Sequence, residues 1–234
     1  MEENKKDEES IEINDLSELC DKRVAKRIGV NGKPKTLTNI RAIILHQDIE
    51  YNEDINTFID RSKDINKSYH YFITQDGKIY QLNNINRAVP HCAFVKYSKF
   101  ATNYFGDSVC PSYSEREKKH LESPNDCTVA ICLPNCSDKN DINRDVMNSL
   151  VKLMAYIINK YSPSLQVQSN VFGLYKMVDK GIVENPKVFL KDENFLHRVR
   201  FMSEKLRSSW VSKYPDRGYP TEIINIMDEK EEEK

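Results

Sequence analysis

The sequence predicts an α/β fold, and three observations carry that prediction. The runs "IRAIILH" (residues 40–46) and "CTVAICL" (residues 127–133) are apolar, β-branched and short, as buried strands are. The stretch "DINRDVMNSLVKLMAYIINKYS" (residues 141–162) repeats apolar residues at helical spacing over several turns. Strand and helix patterns also interleave along the 234 residues instead of segregating into blocks.

Taken in order, residues 1 to about 11 and 227–234 are highly charged and poor in apolar groups, so they read as solvated tails. Residues 12–27 place Ile13, Leu16, Leu19 and Val24 at helical spacing, which predicts a short amphipathic helix. "GVNGKPKT" is a loop by its Gly and Pro content. The strand at 40–46 ends in His46. Residues 52–63 predict a helix with Asn52 as its cap and Ile55, Phe58 and Ile59 on one face. "YHYFITQDGKIYQL" (residues 69–82) alternates on both sides of "QDG", the pattern of a hairpin. Residues 93–126 lack clean periodicity and read as a long loop insertion, a class of segment that is usually functional or disordered.

In the long helix, Val146, Leu150, Val151, Met154, Ile157 and Ile158 form one stripe, with Asp141 or Asn143 placed to cap it. "LQVQSNVFGLY" predicts a last strand and "DENFLHRVRFMSEKLRSSWVSKY" a closing helix. The expected organisation is an N-terminal extension with a short helix (1–37), a core domain (38–205) bearing the insertion at 93–126, and a C-terminal extension with an acidic tail (206–234).

Composition removes several function classes. The 35 Lys and Arg balance 36 Asp and Glu, so no global field favours nucleic acid or acidic lipid. No apolar run approaches the length of a membrane span. The opening "MEENKKDEES" lacks the apolar segment of a signal peptide, which predicts synthesis in the cytoplasm and unbridged thiols for the six cysteines. "CTVAIC" and "CLPNC" lack the spacing of zinc knuckles, and with seven Gly there is no GxGxxG or GxxxxGK phosphate loop.

The combination is more specific than its parts. "AIILHQD", a helix, "SYHYFITQDGKIYQL", "RAVPHC", and "NDCTVAICLPN" before a long amphipathic helix follow one another in that order. Over residues 38–205 this resembles the type 2 N-acetylmuramoyl-L-alanine amidases, the family of phage endolysins and peptidoglycan recognition proteins. The resemblance implies a central mixed sheet flanked by helices, with a groove over one sheet end. It also implies zinc chemistry on the amide between muramic acid and L-alanine. Three protein ligands leave the fourth zinc position to water and lower that water's pKa.

The resemblance assigns roles residue by residue. His46 stands where the family has its first zinc ligand. Tyr69 matches a tyrosine that some members place against the zinc-bound water. His91 matches a groove histidine that binds no metal. Cys132 stands where some members carry a general-base Glu and others a neutral residue. The closing pattern, similar to His-x-Asp-Val-x-x-Lys-x-Cys-Pro, falls on "LYKMVDK" and "NP". Lys180 then takes the catalytic Lys position, while Leu174 and Asn185 take the second and third ligand positions. Leucine cannot bind a cation and asparagine is a poor zinc ligand. His46 alone remains, with Asp179, Glu184 and His197 as remote substitutes.

Each residue also has a plainer reading. His46 can be a hydrogen-bonded strand-end residue, Cys132 an inert buried thiol, and Lys180 with Asp179 a surface pair. Tyr71 and Phe72 fit ordinary strand positions, and His70 faces away from Tyr69 by the period-two rule. Adjacent His91 and Cys92 are expected to point apart on extended backbone, which argues against a nucleophile–base pair. Phe94, Tyr97, Phe100, Tyr104, Phe105 and Tyr113 of the insertion could meet a ligand or pin the loop to its own body.

These residues support three functional readings. The first is a catalytically degenerate amidase-like module that keeps its groove, binds no zinc, and serves binding or structure. The second is an active zinc amidase, and the third a protein–protein regulator that uses the insertion. In the first reading the insertion, with Lys96, Lys99, Arg116, Lys118 and Lys119 among its aromatics, is the contact surface and is separable from the core. The expected partner is a peptidoglycan fragment or a protein of the same assembly, with no nucleic acid and no membrane span. A virion- or cell-wall-associated setting follows from the resemblance.

Overall fold

A computed structural model describes residues 10–18, 37, 39–49, 54–64, 67–92, 96–110, 123–134, 143–178 and 192–225. The strands are β1 (Ile11–Asp15), β2 (Ala42–Ile49), β3 (Tyr71–Ile73), β4 (Ile79–Gln81), β5 (Thr128–Pro134), β6 (Val171–Gly173) and β7 (Thr221–Asn225). The α-helices are α1 (Ile55–Asp64), α2 (Lys99–Phe105), α3 (Arg144–Tyr161), α4 (Val167–Asn170) and α5 (Glu193–Lys213). The strands form one sheet in the order β6-β2-β5-β3-β4-β1-β7, parallel except for the β3–β4 hairpin. The chain is thus a single α/β domain with a central mixed sheet flanked by helices.

Side-chain alternation divides the sheet into two faces. One face carries Ile43, Leu45, Tyr71, Ile73, Val129, Ile131, Leu133, Ile11 and Ile13, all buried in the main core. Helix α3 seals this face with Leu150, Met154 and Ile157, and α5 adds Phe195, Leu196 and Val199. Burying such side chains contributes roughly 1.5–3 kcal/mol each, which makes this face the main source of stability. The opposite face carries two smaller clusters. Ala42, Ile44, Phe172 and Leu174 meet Ala101, Phe105, Val109 and Met177. Phe72, Ala130 and Cys132 meet Phe58, Ile59, Tyr69 and Leu82.

Local chemistry explains the element ends. Asp54 starts α1, its Oδ1 accepting from Asn56 N at 2.9 Å and Thr57 N at 3.2 Å. It is the cap in place of Asn52, which lies outside the described residues. Asn143, not Asp141, caps α3 by accepting from Asp145 N. The hairpin closes through Gly77 at φ +79°, a conformation that L side chains rarely adopt.

Three expectations need correction. Residues 11–15 form a strand, not the start of a helix, because β1 pairs on both sides, with β4 and with β7. Its apolar groups Ile11 and Ile13 then face the core at a spacing of two. Helical structure begins at Ser17, and Leu19 and Val24 lie outside the described residues. The C-terminal segment is likewise not a separate extension, since α5 runs to Lys213 and β7 joins the sheet. Finally, residues 96–110 are not a detachable loop. Ser98 caps α2 by accepting from Ala101 N at 3.0 Å. Arg41 donates to the carbonyls of Tyr104 and Phe105 at 3.1 Å. Tyr97 and Phe105 are buried, so excising residues 95–122 would uncover Ile44, Phe172, Leu174 and Met177. Phe94, Tyr113 and the basic residues at 116–119 lie outside the described residues.

Candidate active site

Strand β2 carries Ala42 and Ile44 on its second face, and alternation puts His46 there too, at the strand's far end. Its parallel neighbour on β5 is Cys132. The β6 register (Ile43 with Val171, Ile44 with Phe172, Leu45 with Gly173) ends one residue before His46 on β2, and Leu174 follows directly on β6. Leu174 is buried and begins a one-turn 3₁₀ helix, Leu174–Lys176. Tyr69 stands edge-on to the His46 ring at 5.0 Å, and the Lys67 ammonium lies 5.7 Å from the Tyr69 ring centre. His46, Tyr69, Cys132 and Leu174 therefore share one face of the sheet. Lys180 and Asn185 lie outside the described residues, as do Asp179 and Glu184. His197 is placed on α5.

His46 is fully buried and its Nε2 lies 3.1 Å from Nδ1 of His91. Nε2 of His91 in turn lies 3.0 Å from Thr128 Oγ1, and the Thr128 hydroxyl donates to the Pro124 carbonyl at 2.6 Å. His91 is thus a hydrogen-bonding neighbour of His46, only 3% exposed, and not an open wall. Asn125 holds the His91 segment. Its Oδ1 accepts from His91 N at 3.1 Å, Cys92 N at 2.8 Å and the Cys92 thiol at 3.2 Å.

The bend at 91–92 brings Cys92 Sγ to 3.8 Å from His91 Nε2, closer than extended backbone would allow. The contact does not make a nucleophile–base pair. The thiol proton goes to Asn125, and His91 Nε2 is engaged at shorter range by Thr128. Cys92, Cys110, Cys127 and Cys132 are all buried, and none is in a disulfide.

Electrostatics favour neutral rings. Burial first, then the Lys67 ammonium and His70, hold His46 well below the ordinary imidazole range. His70 is pushed down to about 4 by burial, against a smaller opposing effect of its bond to Arg87. His46 Nδ1 has no hydrogen-bond partner among the described residues. It is a buried ring nitrogen, of the kind that serves as a metal ligand, an acceptor or a donor according to its tautomer.

Zinc needs more than that nitrogen. Among the described residues no three His, Cys, Asp or Glu side chains converge on one point. The residue that directly follows β6 is leucine, Leu174, so the described donor set does not fit a three-ligand zinc.

Sequence reasoning missed Thr128, Asn125 and Lys67. The available signal was "PNDCT", a polar cluster packed against the start of a fully apolar strand. Polar groups buried at such a junction must be hydrogen-bonded.

Comparison with known proteins gives the family and the fold. A sequence model of the N-acetylmuramoyl-L-alanine amidase family matches residues 36–186. Among solved structures, the Staphylococcus aureus hydrolase AmiA in complex with its ligand is similar at TM-score 0.51 and 14% identity, over 89% of this chain and 87% of that one. The endolysin amidase LysCS of Clostridium intestinale gives 0.48 at 16% identity, over 75% and 93%. Drosophila peptidoglycan recognition protein SD gives 0.39 at 12% identity, over 65% and 79%. At these identities the likeness is one of fold. No curated protein sequence gives a match.

Proposed function

The chain belongs to the N-acetylmuramoyl-L-alanine amidase family, and we propose that within it this protein binds peptidoglycan fragments without hydrolysing them. Family membership supports a peptidoglycan-binding or amidase function. The single observation that supports the finer reading is the donor set: His46 has a buried Nδ1 without a partner, the residue that follows β6 is a buried leucine, Leu174, and among the described residues no three His, Cys, Asp or Glu side chains converge. One imidazole does not retain Zn²⁺ in competition with other ligands. Without zinc-bound hydroxide, none of the described groups is an activated nucleophile for an amide. His46 and His70 are held neutral, and the thiol of Cys92 is bonded to Asn125.

Of the groups around His46, half-buried Lys67 is the one that reaches solvent, with its ammonium over the buried Tyr69 ring. Such a cation suits the carboxylate of a muropeptide. The partner in this reading is a glycan–peptide fragment. Among the described residues no helix is long and apolar enough to cross a membrane.

The test uses purified, insoluble peptidoglycan. The protein should co-sediment with it, while newly exposed L-alanine amino groups stay at the level of a protein-free control, with or without added zinc. Release of L-alanyl peptides would establish an active amidase. Failure to co-sediment would remove the binding role.

A further inference from the structure

Helix α5 buries one side, with Phe195, Leu196 and Val199, in the main core. Its other side concentrates charge of one sign. Between His197 and Lys213 it carries five cations, Arg198, Arg200, Lys205, Arg207 and Lys213, against one carboxylate, Glu204. Two of the cations are taken up by the fold. Arg200 donates to the Val171 carbonyl at 2.9 Å. Arg207 donates to the Pro163 carbonyl at 2.9 Å and lies 3.5 Å from Glu204. Arg198, Lys205 and Lys213 are exposed.

At helical spacing, Arg198, Phe201, Met202, Lys205 and Lys213 fall within about 120° of the helix circumference. Ser209 and Ser212 complete this stripe, so no carboxylate interrupts it between His197 and Lys213. Phe201 is the most exposed large apolar residue among the described ones, at 56%, and Met202 beside it is 36% exposed. Arg198 and Lys205 flank Phe201 at the three- and four-residue spacings that make helix neighbours. Lys213, whose ammonium lies 5.1 Å from the Tyr214 ring centre, extends the stripe.

We infer that this stripe is a contact surface for an anionic phospholipid bilayer. Helix α5 lies along the bilayer, Phe201 and Met202 enter the headgroup layer, and Arg198 and Lys205 meet lipid phosphates. Shape favours a bilayer over a folded partner. One convex helix face with two apolar side chains is small against the roughly 800 Å² that a stable protein interface buries on each side. Lipid headgroups close around a single protruding side chain, and each basic residue near an anionic surface adds its own attraction. The whole chain has a formal charge of −1, so the attraction is local to this face and is screened by salt. No helix among the described residues is long and apolar enough to cross a membrane, so α5 rests on the surface. Helix α5 covers the α3 face of the sheet, whereas His46, Tyr69 and Cys132 are on the other. A protein seated through α5 turns its candidate active site away from the lipid, and this contact is independent of peptidoglycan binding.

The test is co-sedimentation of the full-length protein with phosphatidylcholine vesicles, with and without phosphatidylglycerol. Protein should sediment with the mixed vesicles at low salt, and stay in solution at high salt or with phosphatidylcholine alone. R198E/K205E should weaken binding at least about tenfold, and Phe201→Ser at least about fivefold. Phe201→Trp should still bind, with an emission shift to the blue beyond that of the parent. Wild-type protein that ignores the mixed vesicles would overturn the inference, even if a variant fails to fold. So would binding that survives in folded R198E/K205E, or unshifted emission from bound Phe201→Trp. Retention of the wild type on immobilised polyglutamate but not on vesicles would overturn it in favour of an acidic protein partner. Peptidoglycan co-sedimentation should be unchanged in R198E/K205E. Its loss there would make the stripe part of the wall-binding surface and overturn the assignment to lipid.

Discussion

Nδ1 of His70 accepts a hydrogen bond from the backbone N–H of Ala130 at 3.0 Å, while its Nε2–H donates to the Arg87 carbonyl at 2.8 Å. One imidazole so ties β5 to the segment after the hairpin, and it can do so only while neutral. Protonating Nδ1 would set two donors against each other in a buried site.

Stability should therefore depend on pH in a defined window. The folded pKa of His70, about 4, lies below its ordinary value of 6.5, so between the two the unfolded chain binds more protons than the folded one. The contribution is complete above pH 6.5 and is lost as pH falls toward 4, by about 3 kcal/mol. His46 acts in the same direction. The carboxylates that are held low, Asp54, Asp76 and Glu193, add to the loss as pH falls through their ordinary values and on through their lowered ones. Urea unfolding at pH 7.5, 6, 5 and 4 should show the slope, with protons taken up on unfolding at pH 5. A flat profile over this range would contradict the assignment of buried neutral rings.

Asn125→Ala should cost about 2–4 kcal/mol, since it strips the acceptor from two buried backbone N–H groups and a thiol at once. Thermal unfolding measures the loss. The variant should also loosen His91 and broaden the ring signals of His46. A loss below about 0.5 kcal/mol would mean that water replaces the amide without penalty.

Gly77→Ala should destabilise by about 1–3 kcal/mol. The added Cβ would lie 2.9 Å from Asp145 Cβ and from its carbonyl oxygen, at a backbone φ of +79°. The turn is also held to α3, because Ser149 donates to the Gly77 carbonyl and Asn143 donates to that of Gln75. Denaturant midpoints for the variant and the parent decide this.

Leu174→His should raise zinc affinity at least about tenfold, because it puts a second imidazole directly after β6, the strand next to the one that carries His46. Competition with a chromophoric chelator reads the change, and His46→Ala in that background should cancel it. If Leu174→His binds zinc no better than the parent, Leu174 does not occupy the ligand position.

Much of this arrangement was legible in the sequence. Periodicity located α3 and the strands carrying His46 and Cys132, because their apolar side chains answer directly to burial. Motif order brought His46 and Tyr69 together. Strand β1 was misread because Ile13 and Leu16 are three apart, a spacing shared by a helix face and by a strand that ends in a turn. Helix α2 was hidden because aromatics in a polar segment do not reveal which of them face inward. The contacts of His46 with His91 and of His91 with Thr128 were beyond reach for another reason. They join residues far apart in the chain, and spacing carries no information about that.

The account turns on whether His46 acts without zinc. The most direct measurement is the zinc content, by elemental analysis, of full-length protein purified without chelator and then dialysed against micromolar zinc. The account predicts well below one equivalent, unchanged in His46→Ala. One tightly held equivalent that disappears in His46→Ala would contradict it and restore the chain to the zinc-dependent amidases.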